Sequence, residues 1–288
     1  AEQYQNLYGV KSLPIIASHD ESLAIAPARA LRNDHELLIG MAGQFYANEE
    51  WNLLLTALNA VDWTVRGRQV RLRVMGHYVP QENMRADRLE FRGWKTQKET
   101  IQLLSETDVL YCPYPFSQHM EEVSRLSFPS KLVSYLAAGR PIVFHGPEYS
   151  SPARYLRERN LAFLATKAGA ASVYNELCRA VDQPDMYAAM TQIGYRAFTT
   201  DFMLGTMRSN FFDLLGTTEE KVAAMPPPPP VVVKVLKSPS LVARAGKRVL
   251  RYVALKIPPI RTLQQNAHYL AGDRDRLGKE LASLYGYT

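Results

Sequence analysis

The sequence predicts an α/β fold, a parallel sheet with helices on both faces, followed by a partly helical basic tail. Three observations carry this. Between about His35 and Gly216, short apolar runs that end at glycine alternate with segments of helical period, a pattern that leads to parallel strands joined by right-handed crossovers. Five consecutive prolines, Pro226 to Pro230, then interrupt the chain; such a run is an extended, stiff spacer of roughly 16 Å. Beyond it, segment 231–262 holds eight basic residues and no acidic one.

The elements follow in order. Leu37 to Gly43 reads as a strand closing in a glycine turn, and Trp51, Leu54, Leu55, Leu58 and Val61 follow at helical spacing. Val70 to Gly76 is a strand by alternation, and Leu89 to Trp94 a short one. Residues 97–107 form a helix with Ile101 and Leu104 inward, and Val109 to Pro113 a buried strand. Pro129 to Ala138 is a helix with proline in its first turn and Gly139-Arg140-Pro141 as its stop. Strand 141–146, helix 151–159, strand 161–165, helix 169–182 and one long helical region, 184–214, complete the body. The domain reading is therefore 1–34 as a remnant or linker from a preceding domain, 35–216 as the α/β domain, 217–230 as a proline-rich linker and 231–288 as the tail.

Composition narrows the function. Hydrophobic residues make up 47% and charged residues 22% of the chain, ordinary values for a globular protein. The net charge of +6 resides in segment 231–262, whose +8 leaves about −2 elsewhere, so the body is not a nucleic-acid binder by charge. Cys112 and Cys178 make no metal or redox pair and read as buried or free thiols of a reducing cytoplasm. The six histidines show no ligand spacing, so no metal site is expected. The N-terminus, Ala1-Glu2-Gln3-Tyr4, has neither initiator Met nor apolar signal core, which suggests an excised segment.

In an open parallel sheet, ligands sit beyond the carboxyl ends of the strands. The loops of interest are therefore 43–48, 76–79, 93–95, 113–130 and 145–151, although each glycine in them also reads as a plain turn residue. The most informative stretch is Ser127 to Val143. Ser130 and Lys131 occupy the first turn of its helix, where unpaired N–H groups and the positive end of the dipole favour an anion. A hydroxyl and an ammonium added there make a cradle for a diphosphate. Leu132, Tyr135 and Leu136 on the flank are the inward face of the same helix.

FPSKLVSYLAAGRPIV resembles the donor-site helix of glycosyltransferases of the GT-B fold, family 4 type, where a similar start precedes a "LEYLAAGKPVV" stretch. LLIGMAGQF resembles the opening strand and glycine loop of their C-terminal domain, RLRVMG its second strand, and LEFRGW with KETIQLLSETDVLYCPY the stretch that follows. The order holds over about residues 35–216. The resemblance implies a Rossmann-like donor domain whose substrate is a nucleotide-diphosphate sugar, with no cofactor and no metal. By position it implies that Gly43 and Gln44 face the pyrophosphate, that Gly76 lets the backbone approach the nucleotide and that Trp94 borders the base. Ser130 and Lys131 would hold the phosphates, and Ser134 stands where the family places a glutamate on the ribose hydroxyls.

The departures are specific. The family's paired glutamates fall at Leu126 and Ser134, and the basic residues that commonly follow the glycine loop are absent from Gln44 to Glu50. No catalytic residue is assigned. His119, Glu121 and Glu122 read either as sugar contacts or as solvated loop residues. Residues 1–34 are too short for an acceptor domain, and Tyr4 to Ile16 resemble the last helix and strand before the interdomain linker. Three functions stay open: the donor half of a glycosyltransferase acting on a glycan or lipid-linked acceptor in surface polysaccharide synthesis, a non-catalytic nucleotide-sugar-binding module, and a nucleotide-sugar epimerase of the same fold. Val242, Ala245, Val249, Val253 and Ile257 recur at helical spacing among the basic residues of the tail. They suggest a helix that either lies on an anionic membrane, at the inner face, or is a solvated helix packed on the body or on a missing domain.

Overall fold

The computed structural model describes residues 5–221 apart from 7, 34, 45, 77–83 and 219. All of these lie in one compact unit, Ala1–Met225. The proposed tail helix and its basic residues fall outside the described residues.

Among the described residues, seven strands form one sheet. They are β1 (Glu36–Gly43), β2 (Thr64–Val65), β3 (Arg68–Gly76), β4 (Leu89–Gly93), β5 (Val109–Pro113), β6 (Ile142–His145) and β7 (Ala162–Ala165). The parallel order is β4-β3-β1-β5-β6-β7, so the winding reverses between β1 and β5. The helices are α1 (Asn48–Ala60), α2 (Gln97–Ser105), α3 (Glu121–Leu126), α4 (Ser130–Ala137), α5 (Ser151–Glu158), α6 (Ala170–Asp182), α7 (Pro184–Asp201) and α8 (Leu204–Leu215).

The strands divide the core into two layers by their alternation. Leu37, Ile39 and Met41 of β1 pack with Trp51, Leu54 and Leu58 of α1 and with Val173 and Leu177 of α6. Ala42, Leu110 and Cys112 pack on the other face with Leu132, Tyr135 and Leu136 of α4. Each such fully buried large side chain contributes about 1.5–3 kcal/mol. Both cysteines are buried and free. Asp108, fully buried before β5, accepts from the Leu38 amide (2.8 Å) and from Arg32 Nε (3.1 Å) and Nη2 (3.0 Å), which ties the segment ahead of β1 to the sheet.

Five details differ from the sequence reading. The sheet is not wholly parallel: β2 runs antiparallel to β3 through a two-residue turn, Arg66-Gly67, at φ 50° and 79°. That geometry usually announces itself as Asn-Gly or Asp-Gly, which this sequence lacks. Pro129 is not in the first helical turn; its extended backbone (ψ 124°) makes it the residue that caps α4. The long closing helix is two helices, broken where His19 inserts: its N–H donates to the Phe202 carbonyl (3.0 Å) and its carbonyl accepts from Leu204 N–H (2.8 Å). Residues 13–16 form no strand, and Leu13 and Ile15 remain exposed. The short helix α3 stands inside the segment 113–130 that reads as a loop.

Candidate functional site

Two cavities, of about 590 and 560 Å³, open at the carboxyl ends of the strands and share Gly43, Trp94, Ser130 and Lys131. Gln44 adds to the first, and Gly76 and Ser134 to the second, so all seven residues singled out from sequence are brought together.

The position of α4 explains the convergence. Tyr135, buried on its inner flank, accepts from the Ala42 amide (2.9 Å) and donates to the Tyr111 carbonyl (3.1 Å). These bonds fix the helix against the ends of β1 and β5 and present its first turn to Gly43. There, the Ser130 and Lys131 amides have no acceptor among the described residues. They remain donors for a ligand, with the helix dipole behind them.

Lys131 is the cation of this cradle. Its Nζ lies 3.4 Å from the Gln44 carbonyl and 4.6 Å from the centre of the Tyr46 ring, and no carboxylate pairs with it among the described residues. Burial pulls its pKa below the ordinary lysine value. A desolvated ammonium without a counter-charge gains more from an arriving anion than a solvated one does. Neither cavity is lined by an Asp or Glu among the described residues.

Two glycines bring the strand ends together. Gly43 and Gly76 are register partners at the ends of β1 and β3, with φ of 103° and 111°. A Cβ on Gly76 would stand 2.5 Å from the Gly43 carbonyl oxygen. The close strand ends therefore admit only glycine at Gly76.

The structure adds His19, which sequence reasoning missed. It lines the second cavity, with Nε2 2.8 Å from Ser134 Oγ and Nδ1 2.8 Å from Gln97 Nε2. Burial lowers its pKa, and the ring bridges Gln97 to Ser134. Its only sequence signal is a histidine in the segment before the first strand, 115 positions from its partner. Trp94, 56% exposed, stands at the rim of both cavities. Other candidates stay apart. Leu126 is exposed and lines neither cavity, Glu121 pairs with Arg125, and His119 bonds to Ser117. His145, in the last loop of interest, turns into the core. Among the described residues no group of three His, Cys, Asp or Glu could hold a metal, and no helix is long and apolar enough to cross a membrane.

The model of a protein family described as "Glycosyl transferases group 1" matches residues 36–183, more than half of the chain. The chain belongs to this glycosyltransferase family. Its fold is the Rossmann-like half of the GT-B architecture, and solved structures agree. This group 1 domain is similar to WaaG, a glycosyltransferase involved in lipopolysaccharide biosynthesis, at 12% identity and a TM-score of 0.53 over 75% of this chain and 60% of that one. It is similar to sucrose-phosphate synthase from Thermosynechococcus elongatus at 16% identity and a TM-score of 0.57, over 78% and 57% of the two chains. It is also similar to HepE from Anabaena, solved with UDP and glucose, at 14% identity and a TM-score of 0.50, over 63% and 48%. The chain thus spans about half to three-fifths of these neighbours' lengths. No curated protein matches it by sequence.

Proposed function

We propose that this domain binds a nucleotide-diphosphate sugar and is the donor half of a glycosyltransferase that builds a glycan, with a glycan or lipid-linked acceptor, in surface polysaccharide synthesis. One observation carries the reading: the first-turn amides of α4, without acceptors among the described residues, Ser130 and the Lys131 ammonium, without a carboxylate partner among them, converge on the paired glycines at the strand ends. That cradle suits a diphosphate, with Trp94, Ser134 and His19 on the nucleoside side and Tyr46, Tyr114 and Met120 on the sugar side. The HepE complex with UDP and glucose supports the choice of ligand class. Transfer also needs an acceptor held in line with the anomeric carbon, which this domain leaves to a second one. The basic segment 231–262 would then hold the enzyme at the inner, anionic face of a membrane, near a lipid-linked acceptor.

No Asp or Glu among the described residues lines either cavity, which favours a second reading, a non-catalytic nucleotide-sugar-binding module. Calorimetry of the full chain with UDP, GDP, ADP and dTDP tests the shared core of both readings, since one of them must bind at one site per chain. Binding of none overturns both. Sugar transfer by this chain supplied with a partner acceptor domain decides for the enzyme, and binding without any transfer decides for the module.

A further inference from the structure

Glu50 is a buried carboxylate outside the phosphate cradle, and nothing in the cradle's chemistry calls for it. It lies in the first turn of α1, 2% exposed, with no cation paired to it among the described residues. A side chain of this kind is costly to bury, and its burial pushes the carboxyl above its ordinary pKa. An apolar residue would serve the core better, so its bonds must explain it.

Those bonds lead to one loop. Glu50 Oε1 accepts the Phe116 amide at 2.8 Å. The backbone carbonyl of Glu50 accepts the Tyr111 hydroxyl, also at 2.8 Å, and the same hydroxyl lies 2.8 Å from His145 Nδ1. A carbonyl only accepts, so the Tyr111 proton points at Glu50 and His145 Nδ1 carries the proton of the second bond. The direction of the whole chain is therefore fixed: His145 to Tyr111 to the Glu50 carbonyl, with the Glu50 carboxylate left free to receive Phe116. The Phe116 ring meets the His145 ring edge-on at 5.6 Å and closes the group.

Side chains hold part of this loop, with the Tyr114 hydroxyl 2.6 Å from Ser127 Oγ and Ser124 Oγ donating to the Pro115 carbonyl at 3.3 Å, but its backbone offers few donors. Pro113 and Pro115 have no N–H, and the Tyr114 amide is used by the His145 carbonyl at the end of β6 (2.7 Å). Phe116 N–H is thus the next backbone donor by which the chain leaving β5 can be held. That chain carries Tyr114, Pro115 and Met120, which wall the first cavity beside Lys131. They do not line the second cavity, where Ser134, His19 and Gly76 stand.

We infer that Glu50 is a positioning residue for the sugar-side wall of the cleft, pinning segment 114–120 through the Phe116 amide so that Tyr114 and Met120 face the group attached to the diphosphate. The assignment of the first cavity to the sugar rests on the proposed donor binding; the pin itself does not.

The test uses the full chain and three variants. Glu50→Leu and Glu50→Ala remove the acceptor, the first while filling the volume that the second leaves empty. Glu50→Gln keeps an amide oxygen for Phe116. By hydrogen–deuterium exchange, the Leu and Ala variants exchange segment 114–120 at least about tenfold faster than wild type, with β1 and β5 unchanged, while Gln stays within about threefold. By calorimetry with UDP and UDP-glucose, or the corresponding pair for the base that binds best, all variants keep the nucleoside diphosphate affinity within about threefold. The Leu and Ala variants lose about tenfold or more for the sugar conjugate, and Gln restores it. Unchanged exchange at 114–120 in the Leu and Ala variants overturns the pin. Equal loss for both ligands, or no loss for the conjugate, overturns its role in the sugar-side wall. Absence of any binding to wild type counts against the proposed function alone, because the exchange arm still decides the pin.

Discussion

Replacing Lys131 with methionine separates a ligand-binding role from a structural one by the sign of two effects. Lys131→Met keeps most of the stem and removes only the charge. In the free protein that charge has no carboxylate partner among the described residues, a 3.4 Å contact to the Gln44 carbonyl, and a face-on approach to Tyr46 at 4.6 Å. The cation–π contact contributes about 0.5–1 kcal/mol, and desolvation, which lowers the pKa, opposes it. Desolvation is the dominant influence on this ammonium, so the thermal midpoint of the free variant stays at or above that of wild type. Binding changes the other way. A charge-assisted contact to phosphate contributes roughly 1.5–3 kcal/mol, so the variant loses about 10- to 150-fold in affinity for a nucleoside diphosphate. Parallel melting curves and calorimetric titrations read both quantities. A variant that melts earlier yet binds as tightly as wild type refutes the reasoning and makes Lys131 a scaffold residue.

Other perturbations have defined outcomes. Gly76→Ala sets a Cβ 2.5 Å from the Gly43 oxygen at φ 111°; it destabilises by about 1–3 kcal/mol in chemical denaturation, and an unchanged midpoint would show that the strand ends can spread. Asp108→Ala leaves the part-exposed Arg32 side chain and the Leu38 amide without their acceptor; the loss is about 1–3 kcal/mol, and an unchanged stability would contradict the placement of Asp108 in the core. His145 is held neutral by burial, its pKa lowered from 6.5 to about 4. As pH falls through that window the unfolded chain takes up the proton first, so wild type loses about 3 kcal/mol that His145→Asn does not lose. Equal pH slopes for the two proteins would show that the imidazole titrates alike in both states.

The parts legible in sequence are those encoded locally. The glycine ends of β1 and β3, the apolar runs of β5 and β6 and the Ser130-Lys131 helix start each announce themselves within a few residues. The Arg66-Gly67 hairpin, with no Asn-Gly or Asp-Gly signal, does not. The break between α7 and α8 is invisible in the 184–214 pattern because it is made by His19, a residue from the other end of the domain. The same distance hides the His19–Ser134 contact, which shows only when the segment tied down by Arg32 and Asp108 lies against α4. Glu50 was unreadable for a different reason. A glutamate in the first turn of a helix is ordinary in sequence, and only the fold shows that this one is buried and turned toward Phe116.

The central claim is the place of the diphosphate, and a crystal structure of the full chain with a bound nucleoside diphosphate tests it most directly. The expected result is phosphate oxygens about 3 Å from Lys131 Nζ and from the Ser130 and Lys131 amides, at the usual distance of a charge-assisted hydrogen bond, with the backbone of Gly43 against them. A nucleotide bound elsewhere on the domain, with the first turn of α4 vacant, would contradict it.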